Sequence, residues 1–280
     1  MYLHGGEKMI FRRLFRKFIP AILMCIGISV MATQLDDALN AAKKGEFELA
    51  YKIFLPLAEQ GNTAAQNFIG YMFQRGDGVE RNDIQAAKWW RLAAENGLAD
   101  AQNNLGVIFA EGKGVIQSDV ESAKWYRLAA DQGYAVAQSN MGAIYGQGLG
   151  VKQDWVESTK WYRMAAERGD PLGQANLGVA YANAQGVKRD FVQAYAWYTL
   201  AIENFPKVDQ FGRDRALKNR MVIEKLMTSD EIAKAKLMIA KLLNCKIGSD
   251  EDMLVRWNVK YRSVLRCSSY VATDCNFLNF

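Results

Sequence analysis

Three asparagines spaced 36 residues apart, Asn104, Asn140 and Asn176, are the side chains of this sequence best suited to grip another molecule. An amide carries donor and acceptor together, which matches the alternating groups of an extended peptide backbone. The competing reading is a local bond within one repeat, because Asn readily pairs with nearby backbone. Phe68 breaks the series one step earlier. Gln66, Gln102, Gln138 and Gln174 form a second amide register, read as hydrogen bonds that tie one helical unit to the next. Trp89, Trp125, Trp161 and Trp197, each followed by Trp or Tyr, could be a stacking ladder for sugars or bases. Their helical register beside Leu92, Leu128, Met164 and Leu200 assigns them to the core instead.

Much common chemistry is excluded. The only histidine is His4, so the rest of the chain has no imidazole for a Ser-His-Asp or Cys-His nucleophile or a His-ligated zinc. Carboxylate-only chemistry such as glycoside hydrolysis stays open. However, Asp77, Glu80, Glu95, Glu111 and Asp131 fall at turns and helix ends, where solvation and capping explain them. The repeated Gly-x-Gly lies between two helices rather than after a strand, which makes it no phosphate loop. Neither cofactor nor metal is expected. Beyond Cys25 the cysteines are Cys245, Cys267 and Cys275. An oxidising compartment permits one disulfide among these three and leaves one thiol over, with Cys267 and Cys275 the expected pair.

Residues 1–32 read as a signal peptide. Arg12, Arg13, Arg16 and Lys17 precede an uncharged stretch from Phe18 to Ala32, and Val30-Met31-Ala32 is a small-x-small cleavage pattern. The stretch is short for a membrane span of about 20 residues, so a membrane role is expected only if the segment is kept as an anchor. Without the leader the chain holds 30 basic and 29 acidic residues, so the basic isoelectric point is no sign of nucleic-acid binding. The remaining charge is divided. Residues 33–203 carry 16 basic and 20 acidic groups, and residues 204–280 carry 14 and 9.

The elements that position these side chains come from an internal repeat. Glycines recur every 36 residues in three further registers: Gly61 to Gly169, Gly70 to Gly178 and Gly78 to Gly186. Ala101, Leu105, Ile108 and Phe109 form the apolar stripe of a first helix. Gly106 and Gly142 inside that helix cost roughly 1 kcal/mol each relative to Ala, which suggests two backbones pressed together. Asn82, Ser118, Asp154 and Asp190 are N-caps for a second helix, and Gln85, Glu121, Glu157 and Gln193 three residues later complete capping boxes. Each hairpin must stack on neighbours to bury its surface, giving a solenoid.

The phrases AQNNLGVIFAEGKGV, AQSNMGAIYGQGLGV and GQANLGVAYANAQGV, with SAKWYRLAADQG and STKWYRMAAERG, resemble Sel1-like repeats, α/α relatives of the tetratricopeptide repeat. The resemblance implies an all-α, right-handed α/α solenoid. Its expected organisation is a degenerate repeat over 33–60, four repeats over 61–204, capping helices over 205–244 and a Cys-containing tail over 245–280, irregular or a small β-hairpin. Thr228 and Glu231 form a further capping box there, and Ile232, Ala235, Leu237 and Ile239 form a loosely periodic stripe. The family further implies an adaptor of the cell envelope or secretory pathway, periplasmic or secreted, that holds a protein or peptide in its concave groove. In related tetratricopeptide repeats the residue before the Leu-Gly pair faces that groove, the place held here by Asn104, Asn140 and Asn176. Alternatives are a secreted factor engaging host or cell-surface proteins, and a hydrolase of cell-wall or β-lactam substrates. The β-lactam-linked branch has a disulfide in each repeat, whereas residues 33–244 contain no cysteine.

Overall fold

A computed structural model describes residues 33–244. The expected leader, the tail and Cys245, Cys267 and Cys275 lie outside the described residues. Within them the chain is wholly helical and falls into two compact units that meet in sequence between Tyr134 and Ala135. The first holds α1 (33–43), α2 (Phe47–Glu59), α3 (Thr63–Arg75), α4 (Asp83–Glu95), α5 (Ala99–Glu111) and α6 (Asp119–Asp131). The second holds α7 (Ala135–Gln147), α8 (Trp155–Glu167), α9 (Pro171–Asn183), α10 (Phe191–Asn204), α11 (Gln210–Glu224) and α12 (Ser229–Asn244). Consecutive helices pair as hairpins, the expected all-α solenoid architecture. Beyond the last repeat, α11 and α12 both pack on α10 and join its core through Ala216, Ile223, Ala235 and Ile239.

Each second helix starts where its cap places it. Asn82, Ser118, Asp154 and Asp190 accept hydrogen bonds from the backbone N–H groups of Gln85, Glu121, Glu157 and Gln193. The reciprocal half of the expected capping box does not form. The N–H of each cap residue instead donates to a first-helix carbonyl, as Ser118 does to Phe109 at 2.9 Å. The freed side chains turn outward: Glu121 pairs with Lys124, and Gln193 accepts from the Trp197 indole. Thr228 and Glu231, with no hairpin carbonyl to compete, close the full box.

The core differs from expectation by one register. Trp161 and Trp197 are buried, but Trp89 and Trp125 are only half-buried, while Leu92 and Leu128 are 44% and 49% exposed. In the first two repeats the ring that fills the hairpin is the next residue, Trp90 or Tyr126. It explains the helical glycines: a Cβ at Gly106 would lie 2.5 Å from the Tyr126 ring, and one at Gly142 equally close to Tyr162. What meets these glycines is therefore an aromatic face rather than the second backbone the sequence suggested. Burial pushes the Tyr162 and Tyr198 phenols up to about 12. Backbone contact occurs instead at Gly114, whose added Cβ would collide with the peptide joining Asp83 to Ile84 in the preceding repeat. On α12, Ala235 and Ile239 are buried, whereas Leu237 is 59% exposed and leaves the expected stripe.

Candidate functional site

The glutamine register does what its spacing predicts. Gln66, Gln102 and Gln174 donate to Ala58, Ala94 and Ala166, carbonyls at the end of the preceding second helix, at 3.0, 3.1 and 3.2 Å. Gln102 also accepts from Gln132 of its own repeat, and Gln174 from Asn204. These bonds tie each of these first helices to the second helix before it and so position whatever else it carries.

In the first unit, α3 and α5 carry a cluster built around Asp100. Its carboxylate accepts from Asn67 Nδ2 at 2.8 Å, from the Tyr71 hydroxyl at 3.1 Å and from the Tyr134 hydroxyl at 2.9 Å. Asn104 lies one turn along α5 from Asp100, with its Nδ2 3.5 Å from Asn67 Oδ1. Asn67 is buried, while Asp100, Asn104, Tyr71 and Tyr134 keep part of their surface in solvent. The Tyr71 ring is fixed on both sides: it meets Trp90 edge-on at 5.3 Å, and the Arg75 guanidinium lies 5.3 Å over it. Burial raises the Tyr71 pKa, the neighbouring Asn104 amide opposes that rise, and the Asp100 charge adds to it.

In the second unit, α7 and α9 pack directly against each other and carry Asn140 and Asn176, both half-buried. The carboxylate here is Asp170. It is 8% exposed, accepts from Ser139 Oγ at 2.5 Å and caps α9 by accepting from the Gly173 N–H at 2.6 Å. Burial raises its pKa, against the pull of the Ser139 and backbone hydrogen bonds. Among the described residues no three Asp, Glu, Cys or His side chains gather as a metal site would require.

Sequence reasoning singled out Asn104 but missed Asp100, Tyr71, Asn67 and Tyr134. Their signal was a break in the repeat rather than a motif. Tyr71 stands where the later repeats have Val107, Ala143 and Val179, and Asp100 where the others have Ala64, Val136 and Leu172.

The Sel1 repeat family matches residues 63–98, 99–134, 135–170 and 171–204. Among solved structures, a protective antigen present in uropathogenic Escherichia coli strains, displaying an SLR fold, is similar at 32% identity with a TM-score of 0.62. That likeness covers 72% of this chain and 44% of the antigen, so the chain spans less than half of that protein's length. A Sel1 repeat protein from Oxalobacter formigenes is similar at 31% identity with a TM-score of 0.56, over 81% of this chain and 84% of that one. No curated protein matches.

Proposed function

The chain belongs to the Sel1 repeat family, and from that premise we propose that it is an adaptor whose protein partner docks on the faces of its first helices. Sel1 repeat proteins generally mediate protein–protein interaction. The observation that carries the reading further is the one around Asn104. A polar cluster on two adjoining first helices is fixed by hydrogen bonds yet partly open to solvent. Pre-ordered side chains lose little entropy when a partner arrives, which favours binding. Asn140 and Asn176 occupy the same register on α7 and α9 of the second unit, and in the proposal that unit offers a partner the same kind of half-buried amide.

The site of action we propose is the cell envelope or the exterior, supported by the basic run and uncharged stretch of residues 12–32. A surface-exposed role is the second reading, favoured by the likeness to a protein described as a protective antigen. A photo-crosslinking amino acid at position 104, compared with one at exposed position 128 on α6, tests the docking face in intact cells. Partner adducts should form from position 104 and not from 128; the reverse pattern overturns the reading. Fractionation of the same cells should find the protein outside the cytoplasm, with Thr33 as its first residue.

A further inference from the structure

We propose that Asp100 is the anchor for a basic side chain, Lys or Arg, of the bound protein; this rests on the adaptor reading and names the chemistry of its partner. Asn67, Tyr71 and Tyr134 all direct their hydrogens into the carboxylate. All three donors are neutral, and among the described residues no cation pairs with Asp100. Arg75 spends its charge on the face of the Tyr71 ring. The cluster therefore presents to solvent a half-buried negative charge whose orientation is already set. A carboxylate fixed in this way by neutral groups gains most from a charge-assisted bond to an ammonium or guanidinium.

Two observations separate this from an ordinary structural acid. Asp100 lies in the first turn of α5, but it does not cap that helix, whose N-cap Leu98 has no side-chain bond. Its partners are three side chains, two on α3 and one beyond α6. The repeat itself needs neither Asp100 nor Tyr71, since the matching positions elsewhere hold Ala64, Val136 and Leu172 at 100 and Val107, Ala143 and Val179 at 71. A partly exposed charge kept where the repeating scaffold uses apolar residues fits recognition better than packing.

The test is a displayed library of short random peptides, flanked by Gly-Ser spacers so that no terminus can mimic a side chain. It is selected in parallel on the full chain and on Asp100→Asn. The wild type should enrich Lys or Arg at one position roughly tenfold or more over Asp100→Asn, the effect of one charge-assisted hydrogen bond. If Asp100→Asn melts early, the selected peptide with its basic residue replaced by norleucine is titrated against the wild type, where binding should fall by the same factor. Equal enrichment on Asp100→Asn, or no loss with norleucine, overturns the inference. Peptides without a basic preference that still depend on Asn104 would overturn it while leaving the adaptor standing. A wild type that selects no peptide takes down both.

Discussion

The two units solve the same local problem with the same kind of atom and reach opposite ends. In each, a small polar residue on one first helix, Asn67 or Ser139, donates to a carboxylate at the start of the next, Asp100 or Asp170. In the second unit the acid sits at the N-cap of α9, where it is buried, satisfies a backbone N–H and is consumed by structure. In the first unit it sits two places further on. It caps nothing, stays half in solvent and draws its remaining donors from tyrosines the repeat does not require. A shift of two residues along a helix start thus turns a fold-holding carboxylate into one free to meet a partner.

The largest expected effect lies in the hairpin cores of the first unit, on which the Asp100 cluster is mounted. Trp90 is 1% exposed and lies against Gly70, so Trp90→Ala should cost about 3–5 kcal/mol in denaturant unfolding. Half-buried Trp125 should cost clearly less on truncation to Ala. Equal losses would mean that the core register is shared by both aromatics. Next in size is the contrast between the acids. Asp170→Ala removes a cap and leaves the Ser139 hydroxyl buried, which should cost about 2–3 kcal/mol. Asp100→Asn keeps an acceptor for its donors and should cost less than about 1 kcal/mol. If Asp100→Asn is the more damaging change, Asp100 is a structural tie and the contrast collapses.

A smaller effect follows the titration of Asp170. Burial raises the Asp170 pKa above its ordinary 3.8, so the folded protein holds that proton more tightly than the unfolded chain. The stability from this group is present below 3.8 and is lost as pH rises through the folded value. The unfolding free energy of the wild type, measured against Asp170→Asn, should therefore decline with rising pH over that window. A flat difference would show that the hydrogen bonds to the carboxylate cancel the desolvation, and a rise with pH that they outweigh it.

The repeat, its helix starts and the inter-repeat glutamine bonds were all readable because each recurs every 36 residues, and recurrence separates a packing need from an accident. The same averaging hid the cluster. Asp100 and Tyr71 look like exceptions to a pattern, and only coordinates show that the two exceptions touch. Which of Trp89 and Trp90 turns inward was also beyond the periodic argument. Adjacent positions on a helix differ by 100°, and a wide apolar face accepts either. The reciprocal half of the repeat capping boxes is missing for a third reason. The donors they were meant to satisfy had a tertiary acceptor nearby, in carbonyls such as that of Phe109.

The smallest predicted effect concerns a lone departure in the second unit. Gly76, Gly112 and Gly148 end their first helices in the left-handed conformation, and the fourth repeat does the same with Ala184 at φ 58°. The turn is otherwise unchanged: the N–H groups of Ala184 and Gln185 both donate to the Ala180 carbonyl, as those of Gly112 and Lys113 do to Ile108. An alanine there carries roughly 1–2 kcal/mol of steric cost that glycine avoids. Glycine in turn gives the unfolded chain more freedom, worth about 0.4–1 kcal/mol in the other direction. Relief should exceed loss, so Ala184→Gly should stabilise the protein by roughly 0.5–1 kcal/mol in denaturant unfolding. Gly112→Ala should do the reverse with a larger magnitude, because its new Cβ would also meet the Gln117 Cβ at 3.1 Å. If Ala184→Gly is neutral or destabilising, the fourth repeat has relaxed around its alanine. In that case the hairpins of the two units would not be interchangeable at the turn that ends each first helix.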